Sequence, residues 1–103
     1  MTIDEEAVFE KAIGKWGADE QMRVAQEECA ELIQALSKYH RSLSKNKPGE
    51  VEACLANIKE EMTDVQIMLD QLRIIFGFHD FDLNALRTAK VNRLREVLSA
   101  EDK

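Results

Sequence analysis

The chain has 103 residues, of which 45% are hydrophobic and 33% charged, as expected for one globular domain. Its formal net charge of −6 argues against a surface for nucleic acid, and no apolar stretch is long enough to span a membrane. With no signal-peptide pattern in the first ten residues, we expect a single cytoplasmic domain over residues 1–103. Cys29 and Cys54 lack a CxxC or Cys/His pattern, which predicts reduced, buried thiols rather than a zinc site.

The first half of the chain predicts two helices separated by a break. Thr2 or Asp4 is placed to cap the first helix, which is expected to end near Lys15, and Gly14 and Gly17 around Trp16 mark a break. Asp19 is the expected N-cap of a second helix, which continues to about Leu43.

The second half predicts two more helices. A polar loop at residues 44–49 contains the only proline and is followed by a third helix over about residues 50–76. Gly77 is the expected stop signal, and a fourth helix is predicted over about residues 83–98. No strand pattern competes, so we expect an all-α fold. The predicted protomer resembles a four-helix bundle, in which the long second and third helices form an antiparallel hairpin.

Two acidic motifs occupy the same phase of the second and third helices. Glu28 and Glu31 are three residues apart, as are Glu61 and Asp64, so each pair shares one helix face. Each pair is predicted on the shoulder of an apolar stripe. The stripes contain Met22, Ala25, Cys29, Leu32, Leu36, Tyr39 and Leu43 in the second helix and Val51, Leu55, Ile58, Met62, Val65, Leu69, Leu72 and Phe76 in the third.

The hairpin topology predicts that the two acidic pairs meet, because they are nearly equidistant from the loop. Converging carboxylates repel each other unless a cation lies between them. Mg²⁺, or alternatively Mn²⁺, prefers such oxygen ligands and commonly bridges to phosphates. The alternative is a solvated acidic face, which is the usual role of acidic residues on a helix shoulder. Small or apolar neighbours on the same shoulders, such as Val24 and Met68, favour the metal site.

The paired motifs resemble the MazG-like all-α NTP pyrophosphohydrolases, particularly the small single-domain members. The resemblance extends from about Trp16 to Arg95 and rests on Glu28-x-x-Glu31-Leu32, Glu61-x-x-Asp64-Val65 and Lys90. It implies that Glu28, Glu31, Glu61 and Asp64 are catalytic residues that bind Mg²⁺. It also implies hydrolysis of nucleoside or deoxynucleoside triphosphates to the monophosphate and pyrophosphate. The expected assembly is a homodimer or homotetramer, in which the fourth helix acts on a neighbouring subunit's site.

Four basic residues and no acidic one lie between residues 83 and 95, which predicts a local basic face on the fourth helix. Within it, Lys90 matches the late lysine of the MazG-like enzymes, and Asn92 with Arg93 or Arg95 resembles their nearby polar and basic positions. The resemblance therefore implies that these residues bind the triphosphate. Complementing the helix dipole is the alternative role of Arg93. Trp16 is a candidate for stacking on the base, or alternatively closes the core between the first two helices.

Two other functions remain open. Phosphoribosyl-ATP pyrophosphohydrolase has a similar fold and metal site, and substrate preference would distinguish it. A non-catalytic helical interaction module would use the acidic shoulders to bind a partner or to keep the chain in solution. Such a module would tolerate the loss of Glu28 or Asp64 and would show no Mg²⁺-linked stabilisation.

Overall fold

The computed structural model describes residues 1–45 and 47–102, and all regular secondary structure in these ranges is helical. The helices are α1 (Ile3–Trp16), α2 (Ala18–Leu43), α3 (Pro48–Phe76) and α4 (Asp80–Glu101). The predicted all-α class is therefore confirmed. Asn46, in the middle of the predicted loop, lies outside the described residues.

The start of α1 matches the prediction, whereas the start of α2 does not. Thr2 caps α1 through a capping box, in which its Oγ1 accepts a hydrogen bond from the Glu5 N–H at 3.0 Å and its own N–H donates to Glu5 Oε1 at 2.7 Å. The predicted N-cap Asp19 is wrong, because α2 already begins at Ala18. Gly17 alone separates the two helices and has a φ of 90°, a conformation that side chains with a Cβ rarely adopt. Asp19 instead lies in the first turn, where its charge favours the helix dipole.

Helices α3 and α4 begin earlier than predicted. Pro48 occupies the first turn of α3, since proline needs no hydrogen-bonded N–H there and has the helical φ. Gly77 ends α3 in the left-handed conformation, with a φ of 69°, as predicted. After a short turn, α4 begins at Asp80, which pairs with Arg73 of α3. It continues to Glu101, one turn beyond the predicted end.

The core lies mainly between α2 and α3, which pack along their length as an antiparallel hairpin, with α1 against both. The buried and half-buried side chains of α2 follow a three-and-four spacing that includes Gln21, Ala25, Glu28, Leu32, Ala35, Tyr39 and Ser42. Part of the predicted apolar stripe is therefore exposed, including Cys29, Leu36 and Leu43. The prediction that both cysteines are buried is wrong for Cys29, although both thiols are free.

Helix α4 packs on none of the other helices in the part of the chain that the structure describes. Every residue of α4 is exposed, including Phe81 at 80% and Leu94 at 57%. The packed bundle of one protomer therefore consists of α1, α2 and α3. Within residues 1–45 and 47–102, no helix combines the length and apolarity needed to cross a membrane.

Candidate metal centre

Three glutamates from the two hairpin helices converge. Glu28 and Glu31 come from successive turns of α2, and Glu61 comes from α3. One carboxylate oxygen of each lies within 4.8 Å of the corresponding oxygens of the other two. Glu28 and Glu61 are half-buried, and Glu31 is exposed. The predicted meeting of the two acidic motifs is therefore observed for these three residues.

The convergence depends on how α2 and α3 are rotated in the hairpin. Glu28 lies on the face of α2 that also carries the buried Ala25 and Ala35, and Glu61 precedes the buried Met68 by two turns. The predicted position on the shoulder of an apolar stripe is therefore wrong for both glutamates, because they lie on the packed face itself. The sequence pattern could not show this, since apolar residues also occupy a second, exposed face of each helix.

The buried ends of Glu28 and Glu61 have no hydrogen-bond partner. The Oε2 atoms of both side chains are inaccessible to solvent and unpaired, and no lysine or arginine among the described residues forms an ion pair with either carboxylate. Buried polar atoms without partners are rare, because each loses its interactions with water. A cation among these oxygens would satisfy them, and a donor set of carboxylate oxygens fits Mg²⁺ or Mn²⁺ better than Zn²⁺, which favours His and Cys.

The electrostatics of the cluster favour protonation when no cation is bound. Burial, followed by the charges of Glu31, Asp64 and Glu61, raises the pKa of the Glu28 carboxyl to about 7. Burial and the charges of Glu31 and Asp64 also raise the pKa of Glu61. Both shifts have the same origin, since crowded carboxylates in a partly desolvated site disfavour their charged forms.

These shifts predict a pH-dependent stability of the metal-free protein. The ordinary pKa of 4.5 for Glu28 rises to about 7 on folding, so the folded state binds more protons between these values. The stabilisation is full below about pH 4.5 and is lost as the pH rises through about 7. We expect the free energy of unfolding in urea with EDTA to fall over this range, and Glu28→Gln to flatten the fall. The exposed Glu27 supplies the control, Glu27→Gln, which should retain the wild-type slope; an unchanged slope in Glu28→Gln would contradict the prediction.

Asp64, the fourth predicted ligand, lies at the margin of this cluster. Its side chain is exposed and is not among the three whose oxygens lie within 4.8 Å of one another. Its charge nevertheless acts on the pKa values of Glu28 and Glu61. Asp64 is therefore an exposed residue one turn after Glu61, outside the group of three glutamates.

The predicted substrate-binding residues do not reach the glutamates within one protomer. Lys90, Asn92 and Arg93 all belong to α4, which packs on no other helix in the described ranges. Trp16 lies at the predicted helix break, where it is 56% exposed and the Lys15 ammonium is 5.3 Å from the centre of its ring. The alternative prediction, that Trp16 closes the core between the first two helices, is therefore met only in part within the chain.

Sequence reasoning missed one polar feature of the same interface. Gln21 and Gln71 are both buried and form a hydrogen bond between α2 and α3. The spacing could have revealed the burial of Gln21, since this residue precedes Glu28 by seven residues and so shares its helix face. The predicted stripe contained only apolar residues, so the burial of Gln21 was not predicted.

Comparison with protein-family models, curated proteins and solved structures yields no match to this chain.

Proposed function

We propose that the protein is a Mg²⁺-dependent nucleoside triphosphate pyrophosphohydrolase whose metal site is the glutamate cluster of the α2–α3 hairpin. The observation that carries this proposal is the convergence of Glu28, Glu31 and Glu61, with two buried carboxylate oxygens left unpaired. The geometry by itself supports a site for a hard divalent cation. The reaction and substrate come from the resemblance to the MazG-like enzymes.

In this proposal, the four acidic residues hold and orient the metal. Glu28 and Glu61 supply the buried oxygens, while Glu31 and Asp64, both exposed, bind on the side that substrate approaches. A bound Mg²⁺ would neutralise phosphate oxygens and activate a water for attack on phosphorus. The water adds across the anhydride bond between the α- and β-phosphates, which yields a nucleoside monophosphate and pyrophosphate. Glu27 and Glu60 are exposed, and neither is assigned as a general base.

Positive charge for the triphosphate comes from α4 in this proposal. Lys90, Asn92 and Arg93 bind phosphate oxygens, and Trp16 stacks on the base. The helical advance of 100° per residue places Leu83, Leu86, Leu94 and Val97 on one side of α4 as an apolar stripe, and Lys90 lies on the same side. A helix that buries this stripe therefore brings Lys90 into the contact.

The exposed apolar surface of the protomer supports assembly with a second copy. Its accessible surface of 8171 Å² exceeds the roughly 5,900 Å² expected for a monomer of this mass by about 2,300 Å². An excess of that size is comparable to what obligate homodimers bury. The proposed assembly is accordingly a homodimer or homotetramer.

The arrangement of the exposed side chains favours the hairpin and α4 as the two contact surfaces. Leu36 of α2 and Met62 and Leu69 of α3 are exposed, and the helical advance of 100° per residue places them on one side of the antiparallel hairpin. Helix α4 carries the complementary charge, with four cations and no acid over residues 83–95. Docking of α4 from one copy beside the acidic hairpin of another would bury apolar surface and bring its cations towards the glutamates.

The proposal is tested by release of pyrophosphate from a panel of nucleotides. The panel contains standard and modified NTPs and dNTPs together with phosphoribosyl-ATP, each assayed with Mg²⁺ and with EDTA. We expect metal-dependent formation of both the monophosphate and pyrophosphate. A preference for phosphoribosyl-ATP would instead identify the histidine-synthesis activity. No turnover of any substrate, with a melting temperature insensitive to Mg²⁺, would favour the interaction module.

A further inference from the structure

A buried pair of glutamines connects the two hairpin helices. The Gln21 Nε2 donates a hydrogen bond to the Gln71 Oε1 at 2.7 Å, and each residue is only 5% exposed. The Gln71 Nε2 in turn lies 3.7 Å from the Met68 Sδ. This hydrogen bond joins the side chains of α2 and α3 inside their buried interface.

Such a pair contributes little net stability. A hydrogen bond inside the protein replaces hydrogen bonds to water, so two apolar side chains of similar shape would serve the core equally well. Its effect is on specificity, because a displaced hairpin would leave two buried amides without partners. A single buried polar pair is a known means of selecting one register between packed helices.

The pair lies in the same interface as the glutamate cluster and close to it. Gln21 precedes Glu28 by seven residues on α2, which is two turns or about 10 Å along the helix. Met68, which the Gln71 amide contacts, follows Glu61 by seven residues on α3. The glutamine pair and the glutamates thus occupy neighbouring levels of one helix–helix interface.

The cluster cannot select this register by itself. Without a cation, Glu28, Glu31 and Glu61 repel one another in their charged forms, so the charged cluster opposes the alignment that brings it together. The packed side chains of this interface include the small Ala25 and Ala35 and the larger Met68, and their apolar contacts are less directional than a hydrogen bond. A directional interaction outside the cluster would therefore add to the short loop in favouring the observed register of the metal-free protein.

We propose that the Gln21–Gln71 hydrogen bond is a register lock, which holds Glu28 opposite Glu61 before a cation binds. Both glutamines are positioning residues, because they act on the site through the alignment of α2 and α3. The lock itself does not depend on the reaction, whereas its consequence for Mg²⁺ binding rests on the proposed function.

The first test measures the alignment directly. Gln21→Met/Gln71→Met keeps the length of both side chains but removes the hydrogen bond, and Gln21→Leu/Gln71→Leu is the second variant should the first not fold. Nitroxide labels are placed at the exposed Ser37 and Glu52 in a background without the native cysteines, diluted with unlabelled protein. We expect one distance by pulsed electron resonance in the parent, and in the variant a second population from helices displaced by about 10 Å, one heptad.

The second test measures Mg²⁺ binding by calorimetry. The double variant should melt no lower than the parent yet bind Mg²⁺ about tenfold more weakly. Gln34→Met/Gln66→Met is the matched control, because it makes the same changes at exposed positions of the same helices, and it should retain parental affinity and distance.

The two measurements test the register lock and the proposed function separately. A single, unchanged distance in the double variant, or parental Mg²⁺ affinity in it, would overturn the register lock. If the parent itself binds no Mg²⁺, the proposed function fails, and the distance measurement alone decides whether the glutamines set the register.

Discussion

Glu61→Gln is expected to lower the turnover number for nucleotide hydrolysis on the order of a hundredfold to a thousandfold or more, while raising the melting temperature of the metal-free protein. The substitution keeps the shape of a side chain whose Oε2 is buried and unpaired but removes its charge. Activity falls because a metal ligand from α3 is lost. Stability rises because the substitution removes the charge of Glu61 from a site where burial and the charges of Glu31 and Asp64 raise the pKa of this carboxyl.

The measurement pairs initial rates of pyrophosphate release with calorimetric melting in EDTA and in Mg²⁺. Glu60→Gln is the matched control, since it removes the same charge from the neighbouring, exposed residue and should leave both rate and melting temperature nearly unchanged. The stabilisation that Mg²⁺ confers on the wild type should disappear in Glu61→Gln alone. Full activity in that variant would exclude Glu61 as a metal ligand.

Mixing two inactive variants is expected to restore activity. Lys90→Ala removes the proposed triphosphate contact on α4, and Glu61→Gln removes the metal ligand on α3. If α4 acts on the site of a partner subunit, a mixed dimer contains one site with both residues intact and one with neither. After subunit exchange at equal concentrations, we expect about a quarter of wild-type activity, because half of the dimers are mixed and each has one working site.

The same mixture shows whether α4 acts on the site of its own subunit or on the site of a partner subunit. If each α4 served the site of its own subunit, every site in the mixed dimer would lack one residue and no activity would return. Analytical ultracentrifugation of the wild type provides the necessary companion measurement. A strictly monomeric protein with full activity would contradict both the assembly and the contribution of α4 from a partner.

The hairpin and its acidic residues were predictable because local signals agree. Apolar residues at three-and-four spacing predicted both long helices, and Gly77 marked the end of α3 in its left-handed conformation. The equal distances of Glu28 and Glu61 from the loop predicted their meeting, since residues equidistant from the loop face each other in an antiparallel hairpin. Asp19 was assigned wrongly because Gly17 permits an abrupt turn, which leaves no room for a separate capping residue.

The rotation of the helices was not predictable from the same pattern. Leu36 and Leu43 carry the periodic signal as strongly as the buried residues do, yet both are exposed in the protomer. The periodicity of apolar residues predicts an apolar helix face, but it does not predict which other helix packs on that face. The partly buried position of Glu28 therefore emerged only when α3 was in place beside α2.

Local sequence signals suffice to predict the helical class, the long hairpin and the phase of the acidic motifs, because these depend on interactions between residues close in the chain. It is the tertiary structure that places Glu28 and Glu61 in the packed interface, pairs Gln21 with Gln71, and leaves α4, within the described residues, joined to α3 by the Asp80–Arg73 ion pair but packed on no other helix. These features depend on the rotation and packing of whole helices. Such rotations are set by the summed contacts of residues far apart in the chain, which no local spacing records.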